Sequence, residues 1–273
     1  MSGPVKLAVL GFPLEFTLSP QLHRAGLEAI GSPAESVALP TLPVELGNRL
    51  AELAAAGWRG ANLARPLKEA ALPLLGRVSE AARRSRSVNT VGFGPEGWWG
   101  DTTDGAGFVD LLASLDRDPA RERVMLFGGG AAARSLALAL RASGCPGVAV
   151  SVRHERRARA AWDAISGVTM VAAGSRAEED VVGGGELTLV VNCTPLEEEW
   201  GPCPPAHLDR GVLLIDLVYG PEPTAWVRAA RALGLQAWDG LGLLVFQARR
   251  SLSLWAGREV PLAPLAAAVG WPR

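Results

Sequence analysis

The sequence predicts a two-domain α/β fold, and three observations carry that reading. Apolar runs of strand length alternate with runs of helical spacing from residue 5 to 75, and again from 124 to 233. The 273 residues amount to about two domains of ordinary size. Apolar side chains make up 48% of the chain and charged ones 20%, with Gly and Pro scattered aperiodically, which provides for buried cores and excludes disorder. Alternation of this kind builds a mostly parallel sheet covered by helices on both faces.

Taken in order, 5–10 reads as a strand. Ser19-Pro20 then reads as a helix start, with Ser19 as the N-cap and Pro20 at the first helical position, where its missing N–H costs nothing. Leu22, Ala25, Ala29 and Ile30 continue at helical spacing, and Gly31 is expected to stop the helix. Strands follow at 36–39 and 60–63, with helices at 44–56 and 66–75. Gly94-Pro95-Glu96 between apolar runs at 87–93 and 97–99 predicts a hairpin. Gly100 to Gly105 breaks the alternation, a helix is expected over 106–115, and the domain junction falls near 103. The second half offers a strand at 124–127, a glycine turn and a helix at 134–142. Strands at 148–152, 168–172, 187–191 and 212–217 follow, with helices near 155–165 and 224–233. An apolar helix at 241–255 and the tail are expected to return to the first domain. The predicted domains are therefore 1–103 with 240–273, and 104–239.

Composition narrows the function classes. The 27 basic and 28 acidic side chains leave a net charge of −1, which argues against a nucleic-acid or anionic-membrane partner. No apolar stretch approaches the roughly 18 residues of a membrane span, and the start of the chain lacks a signal-peptide pattern. Three cysteines (Cys145, Cys193, Cys203) show no metal-ligand spacing, so no metal is expected. The reading is a cytoplasmic protein acting on a small molecule, as a monomer or homodimer. Lys6 and Lys68 are the only lysines among the 27 basic side chains. Arginine cannot surrender its proton and lysine can, which singles out Lys68.

Gly128-Gly129-Gly130-Ala131-Ala132-Ala133 fits G-x-G-x-x-A between an expected strand and an expected helix. Small residues there let backbone N–H groups and a helix N-terminus approach a pyrophosphate, as in a Rossmann-type domain. The alternative is a glycine turn that only permits tight strand–helix packing. An NAD site places an acid about 20 residues on, at the end of the second strand. Here that position is Arg153, followed by Glu155, Arg156 and Arg157. Guanidinium groups suit a 2′-phosphate, which favours NADP, while Glu155 is an acid able to serve an NAD ribose.

Further segments complete a pattern: Gly11-Phe12-Pro13 through Thr17-Leu18-Ser19-Pro20, Asn62 through Pro66-Leu67-Lys68, Val88-Asn89-Thr90, and Gly100-Asp101-Thr102-Thr103-Asp104. After the glycine loop come Asn192-Cys193-Thr194, Asp216-Leu217-Val218-Tyr219, and Asp239-Gly240-Leu241-Gly242 with Gln247. In this order and over nearly the whole chain, they resemble the shikimate dehydrogenases, NADP-dependent enzymes that interconvert shikimate and 3-dehydroshikimate in aromatic amino acid biosynthesis.

The resemblance implies Lys68 and Asp104 as a catalytic pair, the amine passing a hydroxyl proton and the carboxylate orienting it. It implies that Thr17 and Ser19 hold a substrate carboxylate near Tyr219, and that Asn89 and Gln247 bond ring hydroxyls. It assigns cofactor contacts to Gly128, Gly129, Gly130, Ala131, Ala132, Arg153, Thr194 and Gly240. Thr17 stands where the family has serine, and Ala64 where it commonly has a hydroxyl side chain. A relative acting on quinate, an aminoshikimate or another cyclic hydroxy acid fits the same residues. So does a silent NADP-binding regulator.

Overall fold

A computed structural model describes residues 3–196 and 201–273. The chain divides into two compact units, Met1–Gly107 with Leu244–Pro272, and Phe108–Leu243 with Arg273.

The first unit opens with β1 (Val5–Gly11), α1 (Ser19–Glu28), β2 (Ala34–Pro40), α2 (Leu46–Ala55), β3 (Gly60–Leu63) and α3 (Leu67–Ala70). It continues with β4 (Arg77–Val78), α4 (Glu80–Ser85), β5 (Thr90–Gly94), β6 (Gly97–Asp101) and the start of α5 (Asp104–Ser114). The sheet order is β2-β1-β3-β5-β6-β4. β1 runs parallel to β2 and β3, while β5 is antiparallel to both β3 and β6. Alternate residues of β1 feed opposite faces, as the pleat requires. Leu7 packs with Leu22, Val245 and Leu252, whereas Ala8 and Leu10 pack with Leu50, Leu67 and Val91.

Register decides where the polar strand ends meet. Leu10 pairs with Leu63, Asn62 with Thr90, and Thr90 with Asp101. The end of β3, the start of β5 and the end of β6 therefore share one edge. Lys68, Asn89 and Asp104 each lie within a few residues of that edge.

Several sequence expectations are corrected. Helix α1 begins at Ser19 itself with Leu18 at the cap, so Ser19 is not the N-cap; the Thr17 hydroxyl accepts the Ser19 N–H at 3.2 Å instead. The helix ends at Glu28, and Gly31 (φ +72°) forms the left-handed turn beyond it. Pro43 starts a 3-10 turn, Pro43–Glu45, ahead of α2. Pro73, lacking an N–H, divides the expected 66–75 helix into α3 and the 3-10 turn Leu72–Leu74. Helix α5 starts at Asp104 rather than 106, and α4 and β4 went unanticipated because both are short and arginine-bearing.

The second unit runs β7 (Arg123–Phe127), α6 (Ala131–Ala142), β8 (Gly147–Val152), α7 (Glu155–Trp162), β9 (Val168–Ala172) and α8 (Arg176–Gly183). It then adds β10 (Leu189–Asn192), β11 (Leu213–Asp216), α9 (Ala225–Ala232) and β12 (Gln236–Trp238). Its strands are all parallel in the order β12-β11-β10-β7-β8-β9. The order reverses between β7 and β10, the switch point at which such sheets receive ligands. Helix α6 takes in Ala131 to Ala133, three residues earlier than expected, and α8 and β12 are additions. The chain closes with α10 (Leu241–Ala256) and α11 (Leu262–Val269).

Trp226 on α9 is 1% exposed, packs among Val190, Leu214 and Ala237, and donates its indole N–H to the Cys203 carbonyl at 2.8 Å. Trp226→Ala is expected to cost about 3–5 kcal/mol, since it opens a large cavity and orphans that carbonyl. A fall in the urea midpoint without a change in slope checks this.

Candidate active site

Lys68 sits on the single turn of α3, immediately beyond β3, and Asp104 opens α5 immediately beyond β6. Lys68 Nζ donates to Asp104 Oδ2 at 2.5 Å, with the two side chains 19% and 6% exposed. Both belong to the first unit, so the ion pair lies within one unit and does not join two. An ammonium carries three donors, and Asp104 takes one of them.

The second carboxylate oxygen is also held. Asn89 Nδ2 donates to Asp104 Oδ1 at 2.8 Å, to Thr103 Oγ1 at 2.9 Å and to Gln247 Oε1 at 3.1 Å. Asn89 Oδ1 accepts the Thr103 backbone N–H at 2.8 Å. A backbone N–H only donates, so the Asn89 amide has one permitted orientation, with its nitrogen toward Asp104. Gln247 in α10 gives its Nε2 hydrogen to the Leu244 carbonyl at 2.9 Å. The structure thus gathers Lys68, Asp104, Asn89 and Gln247, and most of the Asn89 and Gln247 amide capacity is spent inside the protein.

Thr103, Ser251 and His23 belong to the same polar cluster and were missed by sequence reasoning. Ser251 Oγ lies 2.7 Å from Thr90 Oγ1 and 3.0 Å from Thr103 Oγ1. A signal existed: Gln247 and Ser251 are four apart in an apolar helix, so both polar groups project from its buried face. Thr17 precedes α1 and adjoins Ser19, the buried first residue of that helix. Tyr219 lies in the second unit, in the segment after β11.

The glycine turn of the second unit packs closely against neighbouring segments. Gly128 has φ +101°, a conformation that side chains resist, and a Cβ there would meet Thr194 Cγ2 at 2.9 Å. A Cβ on Gly129 would meet Val152 Cγ1 at 2.6 Å, whereas one on Gly130 would stand in open space. Gly130 caps α6 without a side chain, so the N-terminal N–H groups of this twelve-residue helix have no side-chain cap. Thr194 directs its N–H and hydroxyl to Asn192 Oδ1 at 2.9 and 2.6 Å, which shapes the loop beside Gly128. Gly240 gives its N–H to the Val218 carbonyl at 2.9 Å and is buried.

Past β8, Arg153 and Arg156 are exposed, while Glu155 is engaged by Arg159 at 3.2 Å. The acid that competed for an NAD ribose is therefore already paired. The Arg157 side chain lies outside the described residues. Among the described residues no cluster of three or more His, Cys, Asp or Glu could hold a metal ion, and no helix is long and apolar enough to cross a membrane.

Two buried groups titrate in opposite senses. Burial pushes His23 from 6.5 down to about 4, although the Asn62 hydrogen bond resists this. Burial pushes Asp216 up from 3.8 to about 6, against hydrogen bonds from Thr224, Val218 and Asn192. For His23 the unfolded chain holds more protons between those values, so stability is lost as pH falls from 6.5 to about 4. For Asp216 the folded chain holds more, so stability is gained as pH falls from about 6 to 3.8. Each effect is about 3 kcal/mol, and in the native chain they largely cancel. Asp216→Asn is expected to expose the histidine effect as a steep acid loss, which urea titrations at about pH 7 and pH 4.5 measure. An unchanged pH dependence in that variant contradicts the assignment.

Comparisons with known proteins agree in direction. Residues 9–91 match the family model described as the shikimate dehydrogenase substrate binding domain. The chain is 36% identical over 269 residues to the shikimate dehydrogenase (NADP(+)) of Moorella thermoacetica, covering 94% of this chain and 90% of that protein. It is 37% identical over 267 residues to the enzyme of the same name from Gluconobacter oxydans, covering 94% and 92%. Among solved structures, the shikimate 5-dehydrogenase of Thermus thermophilus in complex with NADP(H) and shikimate superposes with a TM-score of 0.85. Identity to that structure is 33%, over 97% of this chain and 98% of that one.

Proposed function

Since the chain belongs to the shikimate dehydrogenase family, we propose that it is an NADP-dependent oxidoreductase that reversibly reduces 3-dehydroshikimate to shikimate. The observation that carries this reading is the Lys68–Asp104 pair at 2.5 Å, with Asn89 holding the other carboxylate oxygen at 2.8 Å.

The residues of the glycine turn fit a dinucleotide. Gly130 faces open space at the start of α6, whose N–H groups are free of a side-chain cap, while Gly128 and Gly129 let the turn pack tightly behind it. Gly128, Gly129, Gly130, Ala131 and Ala132 would line the pyrophosphate, with Thr194 and Gly240 shaping the neighbouring loops. Arg153 would take the 2′-phosphate. When bound, NADPH supplies a hydride to the carbonyl carbon of the substrate.

The protein's own part is proton management. As the carbonyl oxygen gains negative charge, Lys68 Nζ delivers a proton to it and becomes a neutral amine. In the oxidative direction the amine takes the hydroxyl proton back. Asp104 neutralises the ammonium and holds its nitrogen in place, while Thr17 and Ser19 would bind the substrate carboxylate.

The test is the appearance of NADPH absorbance when purified protein is mixed with NADP and shikimate, run beside quinate and other cyclic hydroxy acids. Turnover with shikimate at the highest kcat/KM supports the assignment. Preference for quinate moves the substrate within the same class. Tight NADP binding without turnover of any cyclic hydroxy acid identifies a regulator instead.

A further inference from the structure

We infer that His23 is a remote positioning residue for the Lys68–Asp104 pair, acting through Asn62 and Asn89; this rests on the reading of that pair given above. His23 on α1 is fully buried, edge-on to Trp255 with ring centroids 5.6 Å apart. Its Nδ1 lies 2.8 Å from Ser36 Oγ on β2, and its Nε2 lies 2.8 Å from Asn62 Oδ1 on β3. Asn62 Nδ2 is 2.9 Å from the backbone carbonyl of Asn89.

Each donor and acceptor in this row is forced by the next. The Asn89 carbonyl only accepts, so it must face the Asn62 nitrogen. Asn62 Oδ1 then points to His23, whose Nε2 must carry the hydrogen. Nδ1 is left bare and accepts the Ser36 hydroxyl. Beyond Asn89, the Thr103 N–H fixes the side-chain amide that holds Asp104 Oδ1. The hydrogen-bond directions are thus fixed from Ser36 through α1 and β3 to the Asn89 backbone, and the position of Asn89 links this row to the ion pair.

Without the Nε2 hydrogen of His23, Asn62 Oδ1 is a buried acceptor deprived of that donor, while Asn62 Nδ2 still bonds the Asn89 carbonyl. The amide shifts toward another donor, and the strand start that carries Asn89 moves with it. The consequence is a misplaced Asp104 carboxylate, which slows proton transfer while leaving substrate binding nearly intact. A buried polar row of this kind contributes little net stability, and its effect is orientation.

The experiment compares kcat and KM for His23→Leu and His23→Gln with the native chain. Leucine fills the volume and donates nothing, so kcat is expected to fall about tenfold with both KM values within about twofold. Glutamine can give an N–H to Asn62 and take the Ser36 hydroxyl, so it is expected to restore kcat. If His23→Leu does not fold, Ser36→Ala replaces it; freeing Nδ1 to take the hydrogen is expected to lower kcat about threefold, with recovery in Ser36→Thr.

Retention of kcat in the folded leucine variant, or glutamine failing as badly as leucine, overturns the proposal. Failure of the underlying reading looks different: the native chain then shows no turnover, or Lys68→Ala keeps it. In that case the side-chain amide protons of Asn89, followed by NMR, decide the positioning role alone. They shift in His23→Leu and not in His23→Gln if the row is coupled, and stay fixed in both if it is not.

Discussion

Lys68→Met is expected to lower kcat about a thousandfold in both directions, the usual scale for removing a positioned proton donor. KM for the substrate changes far less, because the lost interaction belongs to the moving proton and not to the bound hydroxy acid. Stability complicates the experiment. The Asp104 side chain is 6% exposed, and methionine leaves its charge beside an apolar neighbour, at a cost of about 3 kcal/mol. The double variant Lys68→Met with Asp104→Asn separates the two effects. It removes both charges, so the urea midpoint recovers while activity stays lost. Lys68→Arg restores the charge yet cannot release a proton, so it recovers stability and little rate. Recovery of kcat by arginine would show that the cation matters only for its charge.

Much of this site was legible because its chemistry is concentrated at strand ends. Asn62, Lys68, Asn89 and Asp104 each follow or precede a short apolar run, and the parallel and antiparallel register of β3, β5 and β6 converts those positions into neighbours. The glycine turn was legible for a different reason, since the space around Gly128 and Gly129 leaves no alternative residue. What stayed hidden depends on tertiary burial. His23 and Ser251 look like ordinary polar interruptions of two helices, and only packing against β2, β3 and β5 gives them partners. The start of α5 was misplaced by two residues because the run from Gly100 to Gly105 reads as a break. In the structure the Cβ of a residue at 107 would stand 2.7 Å from the Gln247 backbone nitrogen, so glycine there serves helix contact.

Asn89 and Gln247 illustrate a finer point. Their residue types pointed to hydroxyl recognition by a ligand, and the structure gives both amides internal work. Asn89 spends its oxygen on Thr103 and its nitrogen on Asp104, and Gln247 spends its nitrogen on Leu244. Gln247 Nε2 keeps a second hydrogen beyond the one given to Leu244, whereas Asn89 Nδ2 already faces three acceptors. Their first duty is to orient the carboxylate, and any contact with substrate is made by groups already fixed in place.

Arg153→Ala is expected to lower kcat/KM for NADPH about a hundredfold while changing kcat/KM for NADH less than about threefold, the scale of losing a forked guanidinium–phosphate contact. The argument starts from the end of β8. Arg153 is exposed there, and the acid two residues on, Glu155, is tied to Arg159 at 3.2 Å. Glu155 is held there through one oxygen by Arg159, and the exposed Arg153 supplies the charge that attracts a 2′-phosphate. Because the contact is exposed, it is screened: KM for NADPH should climb with salt, and KM for NADH should not. Arg156→Ala distinguishes a supporting charge from the primary one, with a loss expected to be several-fold smaller. Glu155→Gln serves as the control on the paired acid and should leave the ratio of the two cofactors in place. A ratio unmoved by Arg153→Ala would transfer the discrimination to a different segment of the second unit, and the reading of this strand end would fail with it.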